Sequence, residues 1–151
     1  MSNVIELPRR GPLPPYGDAH ISPGTYQACF IGYETWARCR GWDPRVVAVW
    51  RITEMGQYFD TVIPTYYRVL SISGKPRRNG RFRIGTRSRL FRDMGRMMYR
   101  RPPIDHIPDV LSNYLYVVNV RDVERDQYQH RLGSTKYSVV EHVSGRADRC
   151  P

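Results

Sequence analysis

The pattern of hydrophobic and polar positions gives its clearest strand in "VVAVWRITE", residues 46–54. Val46, Ala48, Trp50 and Ile52 fall on one side, and Val47, Val49, Arg51 and Thr53 on the other. A period of two predicts a β-strand. The preceding "PGTYQACFIGYETW" (23–36) is rich in Tyr, Phe, Ile, Thr and Trp and reads as a longer strand. Its alternation is imperfect, and Gly32 predicts a bulge or sharp bend. After the turn "MGQYFD" comes "TVIPTYYRVL" (61–70), a third strand. Pro64 has no donor for a ladder, which puts that strand at an edge or a bulge. Alternation sends one of Tyr66 and Tyr67 inward and the other outward without saying which.

The period then changes. In "TRSRLFRDMGRMMYRR" (86–101), Leu90, Phe91, Met94, Met97 and Met98 recur at helical spacing. This predicts a helix of about four turns, capped by Thr86 or Ser88, with Arg89, Arg92, Arg96 and Arg100 on its other face. The methionines read as core packing, and "PPIDHIPD" ends the helix. "NYLYVVNVRDV" (113–123) and "KYSVVEHV" (136–143) supply two more strands, joined by the polar "ERDQYQHRLGST". The expected fold is mainly β: a five-stranded OB-like Greek-key barrel with one helix between strands three and four. An SH3-like barrel or an open meander carries the same order. The barrel domain is expected over 23–143. Before it, residues 1–22 form an extended proline-rich segment that wraps the domain or waves free, and after it 144–151 form a flexible tail.

Charge changes this picture most. The chain has 151 residues and a formal net charge of +10. Residues 75–101 hold eleven basic side chains and one acid, Asp93, while the remainder holds thirteen of each sign. The whole excess lies in one segment, densest in "GKPRRNGRFRIG" (74–85), where Gly74, Pro76, Gly80 and Gly85 oppose regular structure. Ten of the eleven are arginine, whose planar fork suits phosphate and stacks on bases. The segment is expected to meet a nucleic acid or another polyanion, or else an acidic protein surface.

Other chemistry is sparse. Cys29, Cys39 and Cys150 form no CxxC pair, which points to a reducing, cytoplasmic setting without a metal site. No run is apolar enough for a signal peptide or a bilayer span, so no membrane partner is expected. His20, His106, His130 and His142 are scattered, and no phosphate-binding loop or nucleophile elbow is present. No enzyme activity and no cofactor are expected. Exposed barrel edges allow homo-oligomers, but no residue decides the matter.

The strands add a family likeness. Pro23 to Tyr26 at the opening, Trp50 to Glu54, Gly56 in the following loop, and Tyr66 and Tyr67 resemble the pattern of phage-type single-strand DNA-binding proteins of the OB-fold class. "YLYVVNVRDVERD" and "YSVVEHV" look like the closing hairpin of that architecture. The resemblance implies a phage or mobile-element origin and binding of single-stranded DNA or RNA. Bacterial single-strand binders commonly end in an acidic tip, whereas this chain ends "GRADRCP", so recruitment through such a tip is not implied.

Small barrels of this type hold oligonucleotides on strands two and three and the adjoining loops. Rings stack unpaired bases while cations track phosphates. The candidate site is therefore Trp36, Arg38, Arg40, Trp42 and Arg45 around the first loop, with Arg51, Tyr66, Tyr67 and Arg68 on the strands. Lys75, Arg77, Arg78, Arg81, Phe82, Arg83 and Arg87 flank it, Phe82 serving as one more stacking face. For Trp36 and Trp42 the alternative is that one plugs an end of the barrel. The competing function is a mobile-element interaction module or inhibitor, docking a host nucleic-acid-handling or defence complex through its arginines.

Overall fold

A computed structural model describes residues 12–37, 43–123 and 136–147. In chain order the elements are β1 (Gly24–Trp36), β2 (Arg45–Ile52), β3 (Val62–Arg68), β4 (Ser71–Ile72), β5 (Phe82–Arg83), α1 (Arg89–Met98), a 3-10 turn (Asp109–Asn113), β6 (Leu115–Val123) and β7 (Tyr137–Arg146). The five long strands form one antiparallel sheet in the order β3-β2-β1-β6-β7. That sheet does not close: β3 and β7 are its two edges, and they approach one another without a ladder. Pro64 sits on the edge strand β3, where its missing donor costs no ladder bond.

The expected placement of the helix needs correction. α1 follows the fifth strand in chain order, not the third, because part of the basic stretch pairs with itself. Ser71 faces Arg83 and Ile72 faces Phe82, making a small ribbon of β4 and β5 where only a loop was anticipated. Two other bounds differ. The helix has ten residues, with Ser88 as its N-cap and Tyr99 in a left-handed conformation (φ 56°) ending it. β7 runs on to Arg146, past the expected strand end at 143. No helix among the described residues is long and apolar enough to cross a membrane.

The bulge anticipated at Gly32 has a large consequence. Phe30 pairs with Trp50 and Gly32 with Val49, so Ile31 is the extra residue. Before the bulge Ala28 and Phe30 are buried in the core; after it Tyr33 and Thr35 are buried. The parity has switched, so Glu34 and Trp36 emerge on the opposite, outer face. Trp36 is accordingly 40% exposed and plugs nothing. The core side collects Phe30, Trp50, Ile63, Tyr67, Leu90, Met94 and Tyr116, so α1 and the inner faces of the strands share one cluster.

Arginine ties the helix to the open seam. Arg89 donates through Nη2 to the Tyr66 carbonyl on β3 and through Nη1 to the Glu141 carbonyl on β7 (2.7 Å). Arg96 reaches the Val143 carbonyl (3.1 Å), and Arg146 Nε returns to the Met97 carbonyl (2.7 Å).

Candidate nucleic-acid interface

On the outer face, register aligns side chains in rows across three strands. Gly32, Val49 and Pro64 form one row, Glu34, Val47 and Tyr66 the next, and Trp36, Arg45 and Arg68 the last. Two rings therefore stand beside two guanidiniums: Trp36 and Tyr66 lie 5.5 Å apart between centroids. Burial, and then the neighbouring Arg68, push Arg45 below its ordinary pKa, although Asp43 opposes the shift. Two cations crowded together in this way gain from an arriving anion. Arg68 itself pairs with Asp43 at 3.0 Å while remaining largely exposed.

The basic ribbon joins this end of β1. β6 pairs only with the first half of β1, Gly24 to Cys29, leaving the second half of that edge open. The chain after β4 fills it: Thr35 N donates to the Arg77 carbonyl (2.9 Å), Asn79 N to the Tyr33 carbonyl (3.1 Å), and the backbones of Glu34 and Arg78 pair as an isolated antiparallel bridge. Thr35 Oγ1 accepts from Arg77 N and the Tyr33 hydroxyl donates to the Gly80 carbonyl, so the loop is pinned at several points. Arg77 and Arg78 are thus held one strand away from Trp36. Lys75, Arg77, Arg83 and Arg87 are exposed and form no ion pair among the described residues. Arg81 pairs with Asp105 at 3.1 Å, and the adjacent His106, then Arg81, hold the Asp105 carboxyl below its usual range.

Three expected contacts lie elsewhere. Phe82 is no stacking face: it is 3% exposed and meets Tyr33 edge-on at 5.7 Å, because its pairing with Ile72 turns it into the core. Tyr67 is the inward tyrosine, 2% exposed, with its hydroxyl donating to Asp93 Oδ2 (2.6 Å); Tyr66 is the outward one. Arg51 pairs with Asp60 (3.0 Å) at the far end of β2, six residues from Arg45 and so about 20 Å from Trp36. Arg38, Arg40 and Trp42 lie outside the described residues.

Sequence reasoning missed Tyr16. Its ring stacks on Trp36 (6.4 Å, 26°), and its hydroxyl donates to Glu34 Oε1, which also accepts from Trp36 Nε1 at 3.1 Å. A tyrosine in a proline-rich leader carries no periodic signal, so its partner was invisible there. Burial first, then Glu34, raises the Tyr16 hydroxyl well above its usual pKa, and burial pushes Tyr66 up to about 12. Among the described residues no three His, Cys, Asp or Glu side chains are grouped to hold a metal ion. No protein-family model, curated protein or solved structure matches the chain.

Proposed function

We propose that the protein binds single-stranded nucleic acid, DNA first among the candidates, as a non-catalytic module on the outer face of β1, β2 and β3. One observation carries this reading. Trp36 and Tyr66 project beside Arg45 and Arg68, and the Thr35–Arg77 bonds hold a cationic edge against the same end of β1. Flat rings with cations alongside are what unpaired bases and their phosphates need. The strand order β3-β2-β1-β6-β7, with β3 and β7 brought close and Arg89 bonded to both, supports an OB-like barrel that stops short of closure.

The test separates rings from charge. Binding of a mixed-sequence oligonucleotide should quench tryptophan emission, and Trp36→Ala should weaken it about 5- to 150-fold, the equivalent of one stacked base. Replacing Lys75, Arg77, Arg83 and Arg87 with Ala should make the salt dependence shallower by about 0.7 per lost phosphate contact, about 2.8 in all. An unchanged slope removes the ribbon from the interface. If duplex DNA and heparin bind as the single strand does, the attraction is to bare polyanions, and docking on an acidic protein becomes the better account.

A further inference from the structure

The outer face is already partly occupied by the chain's own N-terminal segment. Leu13 lies over Gly32, where an added Cβ would stand 3.1 Å from Leu13 Cδ2. Gly17, at φ 102°, passes beneath the Tyr66 hydroxyl; only glycine takes that conformation freely. Ser138 N then donates to the Ala19 carbonyl, and Ile21 N donates to Ser138 Oγ at the start of β7. Val47, Val49 and Pro64 on the outer face are buried. Tyr16 sits over the Glu34–Trp36 corner of this strap.

Glu34 is out of character here. A carboxylate one row from Arg45 and Arg68, on a residue bridged through its backbone to Arg78, repels phosphate, so phosphate recognition does not explain it. What it offers is an acceptor in the plane where a stacked ring's edge would fall. Tyr16 uses it so: its ring lies on Trp36 and its O–H points at Oε1.

We propose that Glu34, Trp36 and Tyr66 form a slot for one unpaired nucleobase bearing an exocyclic amino group, and that Tyr16 fills this slot until a strand displaces it. The proposal rests on the single-strand reading above and adds to it both a base preference and a built-in competitor. Cytosine N4, adenine N6 and guanine N2 each carry amino hydrogens that a carboxylate accepts. Thymine offers only N3–H between two carbonyl oxygens, which the carboxylate repels. Cytosine should therefore bind more tightly than thymine on the same backbone. The strap reduces apparent affinity in proportion to how fully it holds the slot. Removing one aromatic pair should tighten binding about two- to tenfold.

The experiment uses the full chain and compares oligo-dC with oligo-dT of equal length by tryptophan quenching at mildly alkaline pH. The wild type should prefer oligo-dC. Tyr16→Ala should tighten both, and Glu34→Gln, whose amide both donates and accepts, should narrow the gap between them. Tyr16→Phe keeps the ring in place, loses only the O–H, and should tighten oligo-dC more than oligo-dT; it serves if the alanine variant folds poorly. Equal binding of the two oligomers by the wild type, or unchanged affinity in both Tyr16 variants, overturns the slot while leaving single-strand binding intact. No binding of either oligomer by any of these proteins overturns both.

Discussion

Arg89 should matter to stability far more than its surface position in the sequence suggests. Its guanidinium joins carbonyls of β3 and β7, strands that share no ladder, and lies 4.7 Å from the centre of the Tyr67 ring. Two charge-assisted bonds at about 1.5–3 kcal/mol each set an upper bound of about 3–6 kcal/mol for Arg89→Ala. The two carbonyls lie on sheet edges, however, and water can bond them once the side chain is gone, returning much of that sum. A net loss of about 2–3 kcal/mol remains, and for a chain of this size it should lower Tm by roughly 4–12 °C. The assay is urea and thermal denaturation beside Arg92→Ala, an exposed neighbour on the same helix, which should change stability by no more than about 0.5 kcal/mol. Equal effects from the two substitutions would refute the idea that Arg89 fastens the seam.

Two further outcomes follow from particular contacts. Burial raises the Asp93 pKa despite the opposing Tyr67 hydroxyl, Arg89 and Arg96, and the residue is 1% exposed. The native state therefore keeps a proton that the unfolded chain releases near 3.8, and this contribution to stability is lost as pH rises from there through the raised native value. Asp93→Asn has no such proton, so its stability relative to wild type should rise with pH above about 4, as followed by urea midpoints; a difference that stays flat with pH would contradict the assignment. At Gly80 an added Cβ would fall 2.6 Å from Thr35 Oγ1 and 3.0 Å from its Cγ2, on a side chain 1% exposed that has nowhere to move. Gly80→Ala should cost about 1–3 kcal/mol and weaken oligonucleotide binding by shifting the ribbon, read from the urea midpoint and the binding curve together. An unchanged midpoint would show that the ribbon is not pinned there.

The strands were legible because their signal is periodic and long. β2 is a continuous apolar run of strand length, and Pro64 and Gly32 announced an edge and a bulge that the structure contains. What could not be read was the direction in which the bulge sends the residues after it. A single inserted residue carries Trp36 and Glu34 to the outer face, and nothing in the spelling of "CFIGYETW" says which residue is extra. The β4–β5 ribbon was equally hidden, since two-residue strands between glycines have no period to detect, and so Phe82 was misplaced among the exposed residues. The helix was visible on its methionine face, but four arginines at helical spacing on the other face carry no sign of which are anchored. Only the fold separates Arg89 and Arg96, bonded to strand carbonyls, from Arg92, which is exposed.

That separation bears on why folding leaves the charge of residues 75–101 available. An arginine held by a carboxylate loses most of its field to its partner, as Arg81 does to Asp105. One held by carbonyl oxygens is fixed in place yet keeps its full charge, because a carbonyl is a dipole with no net charge to cancel it. Arg89 is anchored in this second way, and Arg96 partly so. The acid nearest them, Asp93, which Arg96 approaches at 3.5 Å, is buried, and burial raises its pKa. Hydrogen bonds to Thr35 and Tyr33 likewise fix the ribbon that carries Lys75, Arg77 and Arg83, which form no ion pair among the described residues. The fold thus positions its arginines largely without neutralising them. The positive field left standing is what the single-strand binding proposed above would draw on.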